Sequence, residues 1–327
     1  MKILIANLGS TSFKYRLFSM EDGNDELLTQ GGFERVTDYD LVIDQCLKEL
    51  MDVGHLDSVE SLDAIGFKTV LGKDLTGCVE ADEKVIEALE GFEAVAPAHN
   101  PVYANGIRKF REKIPSVTSV ALFETAFYQW KPEVAQRYAI PKKWHDAGVQ
   151  RWGFHGASHK FIAERSAELL GRDDVAENAR QLYVKGPSKI EGKPLRVISC
   201  HLGGSSSVTA IRNGVAIGCS MGFSPQSGLP QNNRVGDLDS MAIPYIAKTL
   251  DISLVEAERQ LTKESGLLGV SGISNDVRDL EEAMEEGNTD AKFAFDLLVH
   301  DIRHWIGAYA FELGGVDALV FTAGIGE

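Results

Sequence analysis

Apolar positions at residues 2–6 and 13–18 bracket a polar, glycine-rich stretch at residues 7–12. Two short apolar runs around a Gly/Ser turn predict a strand–turn–strand unit, closed by turn residues at 21–25. The pattern returns half a chain later. Residues 196–200 read as a strand, 201–207 as a Gly/Ser turn and 208–211 as a second strand, with Arg212-Asn213-Gly214 closing it. Two such units predict a duplicated fold. Between and after them, apolar residues recur at helical spacing over 41–51, 83–89, 105–113, 241–250, 254–262 and 290–313. Residues 158–170 predict another helix, with Phe161, Ile162, Ser166, Leu169 and Leu170 at helical spacing. Residues 171–195 are polar and rich in Gly, Pro and Lys, which predicts a helix end and then an exposed loop. The sequence closes on a strand at 318–321 and a Gly-x-Gly loop at 322–327. Such a loop ordinarily feeds a helix whose N-terminus binds an anion. None follows, so the sequence reads as a fragment or truncated form.

A chain of 327 residues divides into about two domains, placed at 1–147 and 148–327, the second incomplete at its C-terminus. The net charge of −15 argues against nucleic acid or an anionic membrane as the main partner, though not against small anionic ligands. Cys46, Cys78, Cys200 and Cys219 follow no metal-binding spacing and read as reduced, buried thiols. No signal peptide or membrane span is legible, so the expected location is cytoplasmic.

The chemistry lies in three loops that each follow an apolar strand, at 7–12, 201–207 and 322–326. Glycine lets the backbone turn sharply, and successive N–H groups can cradle an anion. Lys14 adds a point charge just past the first loop. Three such loops favour a nucleotide-phosphate cleft between two domains.

Specific motifs extend this reading. Asn7-Leu8-Gly9-Ser10-Thr11-Ser12-Phe13-Lys14 resembles the N-terminal phosphate hairpin of acetate kinases. Pro97-Ala98-His99-Asn100-Pro101, Phe123-Glu124-Thr125-Ala126-Phe127 and Gly153-Phe154-His155-Gly156-Ala157-Ser158-His159 are similar to three further family segments. So are His201-Leu202-Gly203-Gly204, Asn233-Arg234-Val235-Gly236-Asp237, Ser265-Gly266-Leu267-Leu268-Gly269, Asn275-Asp276-Val277-Arg278 and Thr322-Ala323-Gly324-Ile325-Gly326-Glu327, all in family order. The resemblance implies an α/β, actin/hexokinase-type (ribonuclease H-like) duplicated fold with a nucleotide cleft between its domains. It also implies a homodimer that interconverts ATP plus acetate and ADP plus acetyl phosphate, with Mg²⁺ or Mn²⁺.

By that resemblance Glu124, His155 and Arg234 are catalytic, and Lys68, His99 and Arg234 bind the substrate. Asn7, with Glu124, holds the metal or its waters. Lys14, His201, Leu202, Gly203, Gly204, Ser205, Ala323, Gly324, Ile325, Gly326 and Glu327 contact nucleotide phosphate, and Asp276, Val277 and Arg278 lie by the nucleoside. Without the resemblance, Arg234 and Glu124 read as ordinary surface charges, and His99 and His155 as structural histidines. His159 reads as structural even with it. A metal pair with His155 would lack the glutamate of an HExxH motif.

The chain departs from the family pattern at Gly66-Phe67-Lys68-Thr69-Val70-Leu71, where the family has His-Arg-Val-Val-His after the glycine. Lys68 keeps the charge but not the planar fork of arginine. Glu124 replaces an aspartate, extending the carboxylate by one methylene. Both changes preserve charge sign, which favours a co-adapted site with shifted carboxylate specificity over a weakened enzyme. Propionate or butyrate kinase and a non-catalytic nucleotide-binding relative are the alternatives. The His-Asn-Pro and Gly-Phe-His-Gly motifs count against a sugar kinase or other actin-like ATPase.

Overall fold

The first half of the chain is organised around β1 (Lys2–Leu8), in which buried Leu4, Ala6 and Leu8 alternate with more exposed positions including Asn7. The structure is a computed structural model that describes every residue except Ser10, Thr11, Asp22, Gly23, Ala94, Pro97 and Ala98. Parts of the predicted first loop, of the 21–25 turn and of the His-Asn-Pro segment therefore lie outside the described residues. The first compact unit is Met1–Gln129. β2 (Ser12–Glu21) pairs antiparallel with β1, with Asn7 opposite Lys14, and β3 (Asn24–Glu34) pairs antiparallel with β2. β3 was not legible as a strand, because its Gln30-Gly31-Gly32 stretch lacks an apolar alternation.

α1 (Tyr39–Asp52) begins where the Asp38 side chain accepts from the N–H groups of Asp40 and Leu41. β4 (Ala64–Thr69) runs parallel to β1, and after short β5 (Cys78–Glu80) come α2 (Glu83–Gly91), α3 (Asn100–Lys113) and β6 (Thr118–Phe123), the last parallel to β4. The sheet order is β3-β2-β1-β4-β6-β5. α3 starts five residues before the periodicity indicates, with Pro101 in its first turn, where a missing N–H costs nothing. Phe67 and Leu71, at the two family histidine positions, are core side chains, Phe67 packing edge-on against Phe110 with centroids 5.5 Å apart.

The second compact unit is Trp130–Glu327. Residues 130–147, assigned by sequence to the first domain, pack within it: Lys131 Nζ donates to the carbonyls of Arg151 and Trp152, and the Phe223 N–H donates to the Tyr138 hydroxyl. Short α4 (Glu133–Gln136) and α5 (Lys142–Asp146) precede α6 (Gly156–Leu169) and α7 (Asp173–Lys185). α7 corrects the exposed-loop reading of 171–195, which holds only beyond Lys185. Its Val175, Ala176, Ala179 and Leu182 form a narrow buried stripe, and its polar majority faces solvent.

β7 (Arg196–Leu202), β8 (Ser206–Arg212) and β9 (Val215–Cys219) form an antiparallel meander. Asn213 and Gly214 both have positive φ, 52° and 80°, the hairpin turn an Asn-Gly pair favours. α8 (Ala242–Thr249), α9 (Leu254–Lys263), α10 (Gly266–Ser271), α11 (Val277–Glu285) and α12 (Thr289–Leu313) lead to β10 (Ala318–Thr322), parallel to β7 in the order β10-β7-β8-β9. Ala294, Leu298 and Ile302 of α12 join Ile198, Cys200 and Val208 in one core cluster. Of the cysteines, Cys46, Cys200 and Cys219 are buried, and burial pushes the Cys200 thiol up to about 12, while Cys78 is exposed. Among the described residues no helix is long and apolar enough to cross a membrane.

Candidate active site

In the first unit, parallel strands bring predicted residues to one edge. β1, β4 and β6 run in the same direction, and Asn7, Lys68 and Glu124 lie at or just past their carboxyl ends. That edge is where open α/β sheets ordinarily bind ligands. Asn7, Lys14 and Lys68 line one open depression of about 610 Å³ with Gly31, Gly32 and Glu34. Buried Tyr103 donates its hydroxyl to Asn7 Oδ1 at 2.9 Å, which orients the amide. Lys14 is exposed and pairs loosely with Glu34 at 3.4 Å.

Lys68 and Glu124, the two charge-preserving departures, bond each other: Lys68 Nζ lies 2.6 Å from Glu124 Oε1. Glu124 is buried, its N–H donates to the Thr69 carbonyl, and among the described residues its Oε2 has no hydrogen-bond partner. An orphaned buried carboxylate oxygen is costly unless a ligand completes it. Together with the Asn7 amide it is a donor set suited to Mg²⁺ that keeps waters and phosphate oxygens for its other positions. No cluster of three or more His, Cys, Asp or Glu that could hold a metal occurs among the described residues. His99 is the exposed residue preceding α3, and neighbouring Asn100 is structural, its buried amide donating to the carbonyls of Leu71 and Leu89 at 2.8 and 3.0 Å.

In the second unit, the loops after parallel β7 and β10 meet. Buried Leu202 accepts from the N–H groups of Ile325 and Gly326 at 2.8 and 3.2 Å, and a Cβ on Gly203 would lie 3.5 Å from Ala323 Cβ. Ala323 has φ 68°, so this turn holds a non-glycine residue in the left-handed region. Gly204 and Gly324 are exposed, and the Glu327 N–H donates to the Ala323 carbonyl at 3.1 Å.

Arg234 stands beside the first of these loops. Its Nη1 donates to Ser205 Oγ and Gln231 Oε1, both at 3.2 Å, and to the Pro225 carbonyl at 3.4 Å. All three acceptors are neutral, and among the described residues the guanidinium forms no ion pair. Desolvation lowers its pKa, and among the described residues no carboxylate compensates it. A half-buried cation without a counter-ion is suited to an anionic ligand. Its backbone is held by the start of α10, where the N–H groups of Ser265, Leu267 and Leu268 donate to the carbonyls of Asn233, Gln231 and Asn232. Gly266 makes this approach possible: it has φ 61°, and a Cβ there would lie 2.0 Å from the Gln231 carbonyl oxygen.

His155 precedes α6 in the left-handed conformation, φ 59° and ψ 30°. Its Nδ1 lies 2.8 Å from Ser207 Oγ, and its ring stacks on His201 with centroids 4.2 Å apart. His201 Nδ1 in turn contacts Ser158 Oγ at 2.9 Å. His159 is buried between Ser199 and Ser207, one hydroxyl 2.8 Å from each ring nitrogen. The structure thus engages both nitrogens of His159 with hydroxyls rather than presenting them as a metal pair with His155. Asp276 caps α11 by accepting from the Arg278 N–H and pairs with the exposed Arg278 side chain, while Val277 begins the helix.

Ser199, Ser207, Gln231, Tyr103 and Lys131 were given no individual site role by the sequence, although Ser207 closes the 201–207 loop. A signal for the first two existed. Ser199 and His201 sit two apart on β7, with Thr209 and Ser207 as their β8 partners, so small polar residues share one sheet face.

Comparisons with known proteins agree with these motifs. The acetokinase family model matches residues 30–327. Acetate kinase of Bacillus subtilis is 37% identical over an alignment covering 100% of this chain and 84% of the relative. The crystal structure of Porphyromonas gingivalis acetate kinase superposes with a TM-score of 0.85 at 33% identity, covering 100% of this chain and 84% of that one. A propionate kinase from Francisella tularensis gives 0.84 at 30% identity, with the same coverage. The chain belongs to the acetokinase family.

Proposed function

We propose that the protein is an acetate kinase, transferring a phosphoryl group between ATP and the carboxylate of acetate with Mg²⁺. The carrying observation is Arg234, a half-buried guanidinium held, among the described residues, by neutral oxygens only, beside a glycine loop. In the forward direction a carboxylate oxygen attacks the γ-phosphorus, the bond to the bridging oxygen breaks, and ADP leaves. Such transfer relies on positioning and on donors around the three equatorial oxygens. Arg234 would hold the carboxylate or the moving phosphoryl group, and His155 would donate to its oxygens. Lys68 and His99 would bind substrate. Mg²⁺ would withdraw charge from the nucleotide phosphates, held by Glu124 Oε2 and the oriented Asn7 amide or through their waters. Lys14, residues 201–205 and residues 323–327 would contact phosphate, and residues 276–278 the nucleoside. We further propose a cytoplasmic homodimer.

A propionate kinase reading is supported by the similarity to the Francisella protein and by the Lys68–Glu124 pair, which differs from the family pattern. Trapping acyl phosphate with hydroxylamine, with Mg-ATP and acetate, propionate or butyrate, tests and ranks these readings. Turnover abolished in Arg234→Ala is expected. Tight nucleotide binding with no acyl phosphate from any of the three acids would overturn the kinase reading.

A further inference from the structure

Gly203 and Gly204 open the loop between β7 and β8, and neither lies in the left-handed region that favours glycine. The reason for a glycine at such a position is what stands close to it. At Gly204 that neighbour is Asn232. A Cβ on Gly204 would lie 3.3 Å from Asn232 Nδ2 and 3.8 Å from its Cγ, so a side chain there would crowd the amide. The 203–205 and 231–234 loops are fastened together at this point. Ser205 Oγ donates to Gln231 Oε1 at 2.9 Å, and Arg234 Nη1 donates to Ser205 Oγ at 3.2 Å. The Asn232 backbone is held from α10, its carbonyl accepting from the Leu268 N–H at 2.9 Å. The Asn232 amide nitrogen therefore sits against exposed Gly204, two residues before Arg234.

That amide has no structural work among the described residues. Asn232 is half-buried, its Oδ1 is enclosed without a hydrogen-bond partner, and its Nδ2 makes no hydrogen bond either. A polar group that has given up water without gaining a partner is costly, and an apolar side chain of the same size would fill the gap without that cost. An amide is the better residue where a ligand supplies the missing partner. The neighbours set the sign of that ligand. Residues 201–205 and 231–234 contain no carboxylate, and their one arginine is held by neutral oxygens. Such a surface attracts an anion, to which an amide N–H adds a donor without adding charge.

We propose that Asn232 is a phosphate-binding residue, its Nδ2 donating to a nucleotide phosphate oxygen that lies against bare Gly204. Gly204 and Asn232 form a matched pair: the glycine leaves room both for the amide and for close approach of the phosphate. That the anion is a nucleotide phosphate rests on the kinase reading above.

Calorimetric titration with MgADP tests this without any catalytic step. Asn232→Leu keeps the bulk of the side chain and removes the donor, and Asn232→Ala removes both. Each is expected to weaken MgADP on the order of 10-fold, as for loss of a hydrogen bond to a charged group. If Asn232 only filled space, Asn232→Leu would bind as wild type does. Gly204→Ala supplies a second signature. With Asn232 present its Cβ displaces the amide, and a loss of about fivefold is expected; in the Asn232→Ala background the same change should cost little, so the two losses are not additive. Denaturation midpoints establish that each variant is folded before titration. MgADP affinity within about twofold of wild type in either Asn232 variant, or equal losses from Gly204→Ala in the two backgrounds, would overturn the proposal. Wild-type protein that binds no MgADP would overturn it together with the kinase reading. MgADP binding with no acyl phosphate from any acid would overturn the kinase reading alone, and the variants' affinities would still decide the role of Asn232.

Discussion

The two sheets repeat one local plan and use it for different electrostatics. In each, a first strand pairs antiparallel with the next and parallel with a later one, β1 with β2 and β4, β7 with β8 and β10. In each, candidate site residues gather at the carboxyl ends of the parallel strands. The first unit places full charges there, with Lys68 half-exposed and paired to buried Glu124. The second places a Ser–His network there and, beside it, one cation, Arg234, held by amide, hydroxyl and carbonyl oxygens. A half-exposed ion pair is screened by salt and already neutralised, whereas a half-buried cation held by neutral oxygens keeps its charge for an anionic ligand. The same strand arrangement thus supports two ways of organising donors.

The largest expected effect is at Arg234. Arg234→Ala should lower acyl-phosphate kcat on the order of 100-fold or more, as for loss of a preorganised donor to a transition-state oxygen, measured by hydroxamate trapping. Arg234→Lys should recover little of it, because an ammonium cannot reproduce the planar fork.

The Lys68–Glu124 pair sharpens the comparison. Glu124→Asp withdraws the carboxylate by about 1 Å and should cost on the order of 100-fold in kcat/KM. If the pair is co-adapted, Lys68→Arg combined with Glu124→Asp should be more active than Glu124→Asp alone. Additive losses in that double-mutant cycle would show that the two side chains act independently.

Gly266→Ala tests how the arginine is held. The new Cβ cannot fit against the Gln231 carbonyl at φ 61°, so residues 231–234 must shift. A destabilisation of about 1–3 kcal/mol, read as a lower denaturation midpoint, should accompany loss of kcat. Unchanged activity would separate the position of Arg234 from its contact with α10.

The smallest effect on catalysis is expected at Lys131, whose buried ammonium holds the Arg151 and Trp152 carbonyls a few residues before His155 and gives stability a pH dependence. Desolvation lowers its pKa to about 8, against 10.5 for an ordinary lysine. Between those values the unfolded chain binds the proton and the folded chain releases it, so this group makes stability rise with pH. Denaturation of wild type and Lys131→Met at pH 7.5 to 10.5 (about the window of the shift) should diverge, the wild type gaining stability relative to the variant.

Much of this was legible in the sequence. Strand pairs around Gly/Ser turns stood out because strands alternate faces with period two and glycine marks a tight turn, as at β1–β2 and β7–β8. The family motifs identified Asn7, Glu124, His155 and Arg234 as candidates. α7 escaped because a stripe of four apolar side chains is enough to anchor a helix whose other residues are mostly polar. β3 escaped because its pairing with β2, not its own pattern, makes it a strand.

Local spacing and residue type alone determined the strand–turn–strand units, most of the helices and the kinds of groups available for chemistry. Tertiary structure decided that Lys68 and Glu124 are partners, that Gly266 admits the Arg234 loop, and that Ser207 stands between His159 and His155. The pairs concerned are 56, 32, 48 and 52 residues apart in sequence (68 to 124, 234 to 266, 159 to 207, 155 to 207). Hydrogen bonds and ion pairs act over about 3 Å in space, so sequence patterns can nominate such groups, but chain folding determines which of them meet.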